Sequence, residues 1–168
     1  GRADDLGSGP DRRGDACGIV VAGALRDGRL AVLEDASVAG LSPAGWAHAV
    51  CRAAARWRAD RVVAERNQGG AMVRQVLLAA DPALPVTLVW ASHSKGARAE
   101  PIALRYERGE VVHAGTFPAL EDQLCGMHMA GGYTGPGRSP DRADAAIWAL
   151  TALSDGQRRG ARVRVRVV

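Results

Sequence analysis

Cysteine and lysine are both scarce in this chain of 168 residues. The three cysteines are odd in number, widely spaced and include no Cys-x-x-Cys pair: Cys17, Cys51 and Cys125. This pattern argues against a disulfide framework and against a structural zinc site, and it favours reduced thiols and a cytoplasmic location. No run of roughly eighteen uncharged apolar residues occurs, so no membrane-spanning segment is expected.

Several nucleotide-binding and catalytic motifs are also missing. The chain has no Gly-x-x-x-x-Gly-Lys-Ser/Thr sequence, which excludes a P-loop ATPase from it, and no Gly-x-Gly-x-x-Gly after a strand, which disfavours a dinucleotide site. It has no Gly-x-Ser-x-Gly elbow, and its four histidines lack metal-ligand spacing. Lys95 is the single lysine, so arginine carries the net charge of +4. A nucleic-acid partner is therefore permitted, although GC-rich coding also raises the arginine content.

Apolar periodicity and turn residues predict strands that alternate with helices after an initial hairpin. Asp27-Gly28 is a hairpin turn, Ser42-Pro43 marks the start of one helix, and Ser139 is the predicted N-cap of the last. The predicted strands span 16–25, 29–37, 60–65, 85–92 and 110–115, and the predicted helices span 41–59, 69–81, 95–109, 117–127 and 139–153. This order indicates an α/β fold with a mixed sheet covered by helices on both faces.

Three acids are candidates for chemistry. Asp141 and Asp144 share one face of the last helix. There they either complement the helix dipole or act together as ligands of a metal ion. Glu65 ends a buried strand, where it either pairs with a neighbouring arginine or lies at a ligand site. Carboxylate oxygens suit Mg²⁺ or Mn²⁺, and two such ions about 4 Å apart can activate water for phosphodiester cleavage. The three acids together therefore favour a metal site.

Five stretches between residues 15 and 153 carry a family pattern. In chain order they are DACGIVVAG (15–23), DRVVAERNQGGAMV (60–73), SKGARAEPIA (94–103), GEVVHAGTFPALEDQL (109–124) and GGYTGPGRSPDRADAAIWALTAL (131–153). Their sequence and order resemble the C-terminal nuclease domain of phage large terminases, especially those of alphaproteobacterial prophages and gene transfer agents.

The resemblance implies a ribonuclease H-like fold, which Holliday-junction resolvases share, and a metal-dependent endonuclease that cuts double-stranded DNA during genome packaging. By that likeness Glu65 is the second catalytic acid and Asp144, with Asp141, is the last. Two Mg²⁺ or Mn²⁺ ions are the implied cofactors. A packaging ATPase domain precedes the nuclease domain in the family, so that domain and a portal are the implied protein partners, with no membrane involved.

The amino-terminal segment departs from the family pattern. In the family the first acid ends an apolar central strand, whereas residues 1–14 are polar, so this strand is missing or atypical. Asp5 has a workable spacing for the first catalytic acid and metal ligand, and Asp15 is a further candidate ligand. The nuclease domain is expected to span 15–155. The basic tail, 156–168, alternates arginine and valine between residues 161 and 167 and is expected to form an edge strand or a basic arm.

Lys95 and Arg98 begin a predicted helix after a strand. They are expected to contact the DNA backbone or the scissile phosphate, with solvated surface charge as the alternative. Two other functions also stay open: a junction-resolving nuclease of the same fold, and a non-catalytic module that docks DNA or a portal.

Overall fold

The backbone builds one large sheet with helices on both faces. The computed structural model describes residues 16–66, 70–128, 132–158 and 165–167. The strands are β1 (Ala16–Cys17), β2 (Val20–Ala24), β3 (Leu30–Asp35), β4 (Val38–Ala39), β5 (Arg61–Glu65), β6 (Val86–Val89), β7 (Val111–His113) and β8 (Val165–Val167). The helices are α1 (Pro43–Arg56), α2 (Gly70–Ala80), α3 (Lys95–Glu107), α4 (Pro118–Cys125) and α5 (Asp141–Arg158).

Six strands form the large sheet in the order β6-β5-β8-β2-β3-β7, and β1 pairs with β4 in a separate two-stranded sheet. β2 runs antiparallel to both of its neighbours, whereas the β3–β7, β5–β6 and β5–β8 pairs are parallel. The sheet is therefore mixed, as the sequence predicts. Because β3 and β5 run in the same direction, the last residues of both, Asp35 and Glu65, lie at one edge.

The central place in the sheet is filled from the carboxy-terminal end of the chain. β8 lies between β2 and β5, with Arg166 opposite Val21 on one side and Val62 on the other. The sequence favours an edge strand or a basic arm here, so the interior position corrects that expectation. Without β8, facing backbone groups of β2 and β5 would lack ladder partners. The strand that the resemblance implies near residue 5 lies outside the described residues.

The local signals for helices and turns agree with the predicted elements. The hydroxyl of Ser42 accepts a hydrogen bond from the Gly45 N–H and caps α1, and Pro43 is the first residue of that helix. Gly28, in the turn between β2 and β3, has a φ of 89°, a value that glycine adopts without strain. Among the described helices, none combines the length and apolarity that crossing a bilayer needs.

Two apolar clusters lie on opposite faces of the sheet. One contains residues of α1 and α2 with Val62 and Ala64, and the other contains residues of α3, α4 and α5 with Val63. Successive side chains of a strand point to opposite faces, so Glu65 lies on the same face as Val63. This alternation directs the Glu65 carboxylate towards α5.

We predict that interrupting β8 lowers the denaturant concentration at which the domain unfolds. Arg166→Pro removes the backbone donor of a strand paired on both sides, so it should lower the free energy of unfolding by at least about 2 kcal/mol. Urea unfolding followed by circular dichroism measures this change. Arg166→Lys keeps the backbone donor and is the control; equal stability of the two variants would contradict the interior position of β8.

We also predict unequal reactivity of the three thiols. Burial, with a smaller contribution from the Asp141 charge, raises the pKa of Cys17 to about 11, whereas Cys125 is exposed. Because the thiolate is the reactive form, Cys17 should resist an aromatic disulfide reagent at pH 8 in the folded protein. One thiol should react rapidly, and Cys125→Ser should remove that phase. Rapid reaction of Cys17 in the native protein would contradict its burial.

Candidate active site

Glu65 is held at the end of β5 by the sheet and by a tryptophan from α5. Its backbone pairs with Val89 of β6, and the Trp148 Nε1–H donates a hydrogen bond of 3.3 Å to Glu65 Oε2. Trp148 is itself buried in the cluster under α5. One carboxylate oxygen is therefore held from the helix side, and the other, Oε1, lies 3.8 Å from the guanidinium of Arg98.

Asp144 lies in the first turn of α5, and a side chain from α4 fixes the start of that helix. Gln123 Oε1 accepts hydrogen bonds from the backbone N–H groups of Arg142 at 2.8 Å and Ala143 at 3.2 Å. The helix begins at Asp141. The sequence predicts Ser139 as its N-cap, but this prediction is wrong, because the Ser139 hydroxyl donates a hydrogen bond to Asp141 Oδ1. The cap thus comes from another helix, which ties Asp144 to the position of α4.

A glycine between β1 and β2 lets the sheet approach this helix start closely. A Cβ atom at Gly18 would overlap the backbone carbonyl of Asp141. The chain passes under the first residue of α5 at this point, and only a residue without a side chain fits there. Gly18 therefore sets the distance between α5 and the edge of the sheet where Glu65 lies.

Arg98 lies between the two acids. Its Nη2 atom is 3.0 Å from Asp144 Oδ1, and its Nη1 atom is 3.8 Å from Glu65 Oε1. The guanidinium also covers the Trp148 ring, with its central carbon 4.7 Å from the ring centroid. The exposed fractions of the three side chains are only 9% for Arg98, 15% for Glu65 and 13% for Asp144. The carboxylates and the guanidinium form one largely buried ionic cluster.

Lys95 adds a second positive charge to the cluster from solvent. Its Nζ atom is 3.5 Å from Asp144 Oδ2, and half of its side chain is exposed. Both cations lie in the first turn of α3. A positive charge there interacts unfavourably with the helix dipole, at a cost of about 0.3–1 kcal/mol for each side chain. Arg98 is too buried to be a solvated surface charge, and its Nε atom has no hydrogen-bond partner among the described residues. Pairing with the acids offsets these costs.

The other acids at this edge face different partners. Asp141 accepts the Ser139 hydroxyl, and its charge acts on the Cys17 thiol, so the described contacts do not join it to Glu65. Asp35, at the end of β3, is largely buried and pairs with Arg142 at 2.7 Å. Sequence reasoning missed Asp35, because a single acid after an apolar strand is a common strand end.

The carboxylates of Glu65 and Asp144 are suitable as two of the ligands of a divalent cation. They come from different elements, offer hard oxygen ligands and both lie within 4 Å of one positive group. Within the described ranges no group of three His, Cys, Asp or Glu side chains is placed to hold a metal ion. Asp5 and Asp15, the candidates for the remaining ligand, lie outside the described residues.

Sequence reasoning also missed Trp148 and Gln123 as residues that position the site. Helical spacing does place Trp148, four residues after Asp144, on the same face as the acid, but it gives no sign of the hydrogen bond to Glu65. Gln123 carries no such signal, because its contact with α5 depends on how α4 packs.

Comparisons with known proteins were consistent with this architecture. The family described as terminase RNaseH-like domain matches residues 2–153. Among solved structures, the large terminase nuclease from thermophilic phage G20c, crystallised with bound cobalt, is similar with a TM-score of 0.56 and 17% identity. The alignment covers 82% of this chain and 81% of that one. No curated protein matches the chain. The structural likeness confirms the predicted ribonuclease H-like mixed fold.

We predict that Gln123→Ala loosens the start of α5. It leaves two helix N–H groups without their acceptor, which should cost about 1 kcal/mol and lower the Tm by about 2–4 °C. Gln123→Glu keeps an acceptor oxygen and places a negative charge at the helix start, so it should restore most of the Tm. Calorimetry measures both; an unchanged Tm in Gln123→Ala would show that α5 does not depend on this cap.

Proposed function

Since the chain belongs to the terminase RNaseH-like domain family, with the nuclease role in DNA packaging that this family implies, we propose that Glu65 and Asp144 hold the divalent cations with which it cleaves double-stranded DNA. Mg²⁺ or Mn²⁺ is the proposed metal, in two ions, with Asp5 or Asp15 as the third acid. The cobalt in the phage G20c nuclease supports a divalent metal here.

The observation that carries this proposal is the meeting of two acids around one positive charge. Glu65 comes from the sheet and Asp144 from the last helix, yet Arg98 reaches both. Two carboxylates this close repel each other unless a cation lies between them, because their interaction is weakly screened when they are buried. In the described state the guanidinium supplies that charge, and a divalent cation with direct oxygen ligands would supply more of it.

Arg98 therefore has two positions in the proposed reaction. Without metal it pairs with the acids. A bound metal would compensate the charge of the acids, and the guanidinium would then be free to pair with the anionic DNA phosphate that enters the site. Arginine matches a phosphate with two parallel hydrogen bonds, and Lys95 adds a point charge beside it. The N-termini of α3 and α5 both lie at this edge and favour an anion there.

Bound metal would supply a Lewis acid and an activated water for phosphodiester hydrolysis. The chain's own residues do the positioning. Trp148 holds one oxygen of Glu65, and Gln123 and Gly18 fix the start of α5, so the two acids keep their separation. The packaging ATPase domain and the portal are proposed partners, because family membership implies them.

The non-catalytic docking module is the second candidate function. The observation that favours it is the same ionic cluster, because a buried arginine between the acids occupies the space that a metal needs. The junction-resolving nuclease differs only in substrate, and a strong preference for a four-way junction over linear duplex would support it. Cleavage assays on both substrates separate these alternatives.

We predict that cleavage depends on both acids. In Mn²⁺, Glu65→Gln and Asp144→Asn should each slow nicking of supercoiled plasmid by at least about 100-fold, since each removes a charged metal ligand. Asp155→Asn, at an exposed acid near the far end of α5, is the matched control and should cleave at the wild-type rate. No cleavage by the wild-type chain at any metal concentration would favour the docking module, and wild-type rates in Glu65→Gln would place the chemistry elsewhere.

We predict opposite effects of Arg98→Ala on metal binding and on cleavage. Removing the guanidinium takes away the cation beside Glu65 and leaves Asp144 with only the half-exposed Lys95, which should destabilise the metal-free protein by about 3 kcal/mol. Mn²⁺ should then bind more tightly, measured by calorimetry, and should raise the Tm more than in the wild type. DNA cleavage should fall, because the phosphate loses its partner.

Arg98→Lys is the control for charge, since it keeps the cation but loses the planar fork. Its Mn²⁺ affinity should stay near the wild-type value while cleavage falls. Weaker Mn²⁺ binding in Arg98→Ala would contradict competition between the guanidinium and the metal.

A further inference from the structure

A tryptophan and an arginine form an exposed pair beside the candidate active site. Trp90 follows the last residue of β6, and Arg66 follows the last residue of β5. The Arg66 guanidinium carbon lies 4.3 Å from the centroid of the Trp90 ring. Trp90 is 64% exposed, the most exposed of the large apolar side chains in the described ranges. We call this pair the Arg66–Trp90 platform.

Backbone pairing fixes the platform to the catalytic edge. Glu65 pairs with Val89, and the Arg66 N–H continues the ladder with a 2.7 Å hydrogen bond to the Val89 carbonyl. Arg66 and Trp90 are each one residue beyond this pair, and consecutive Cα atoms are about 3.8 Å apart. The platform therefore lies at the same edge of the sheet as Glu65, immediately beyond the paired ends of β5 and β6.

Trp90 differs from the other three tryptophans of the chain, which are buried or partly buried. Trp148 belongs to one apolar cluster and Trp46 packs against the other. Trp90 instead presents its ring to solvent with a cation over it. Tryptophan next to arginine is the combination that binds nucleic-acid strands: the ring stacks on a base, and the cation contacts the phosphate or the stacked base.

We propose that the Arg66–Trp90 platform binds an unpaired nucleobase of the DNA strand next to the scissile phosphate. The base stacks on the Trp90 ring, and Arg66 pairs with the phosphate of the same nucleotide. The proposal rests on the proposed function, because a phosphodiester that reaches Glu65 brings the adjacent nucleotides to this edge. A base in a continuous duplex is already stacked on its neighbours, so the platform favours frayed, nicked or overhanging DNA.

The test compares the binding of two DNA strands that have the same charge, one with bases and one without. A fluorescently labelled single-stranded oligothymidylate and an abasic strand of the same length carry the same phosphates, so backbone electrostatics act equally on both. Binding to the 168-residue chain is measured by fluorescence anisotropy in EDTA, where metal-dependent cleavage does not occur. The wild type should bind the thymidylate more tightly than the abasic strand.

The variants separate stacking from general binding. Trp90→Ala should weaken thymidylate binding roughly tenfold and leave abasic binding unchanged, whereas Trp90→Phe should keep most of the difference. Leu104→Ala, at an exposed apolar residue of α3, is the matched control and should bind both strands like the wild type. Circular dichroism checks that each variant is folded.

The outcomes decide the proposal independently of catalysis. Equal binding of the two strands by the wild type, or an equal loss on both strands in Trp90→Ala, would overturn base stacking. Because the assay contains no free metal, loss of the base preference can be told apart from failure of the metal-dependent cleavage proposed for Glu65 and Asp144.

Discussion

One guanidinium group lies between the two carboxylates on which the candidate site depends. Arg98 reaches Asp144 and Glu65 while its own side chain is 9% exposed, and Trp148 packs against it and donates to Glu65. Buried like charges are costly, so the fold keeps the acids together in the absence of metal by placing a positive side chain between them. The same cluster keeps the two acids close together, and under the proposed function a metal ion that binds both would displace the Arg98 side chain.

The rest of the architecture fixes the distances within that cluster. The sheet places Glu65 at the edge of β5, and β8 completes the ladder on the other side of that strand. Gln123 caps α5 from α4, and Gly18 allows the sheet to approach the first residue of α5. Each contact joins segments that are distant in sequence, so the geometry of the two acids depends on the packing of the whole domain.

Much of this fold could be predicted from the sequence, because its signals are local. Ser42 and Pro43 begin α1 as expected, the apolar run before Glu65 is β5, and Asp144 lies in the first turn of the last helix. Family motifs added the ribonuclease H-like topology, which the structural likeness confirms. The contacts that define the site are not local. The bridge by Arg98, the cap from Gln123 and the interior position of β8 depend on which elements become neighbours, and periodicity carries no information about that choice.

Anomalous scattering from crystals grown with Mn²⁺ would locate the manganese and so test most directly whether Glu65 and Asp144 hold it. We expect an anomalous peak between the two carboxylates, with the Arg98 guanidinium withdrawn from both. An Arg98 side chain that still bridges the two acids, with no manganese beside them at a concentration that supports cleavage, would contradict this expectation.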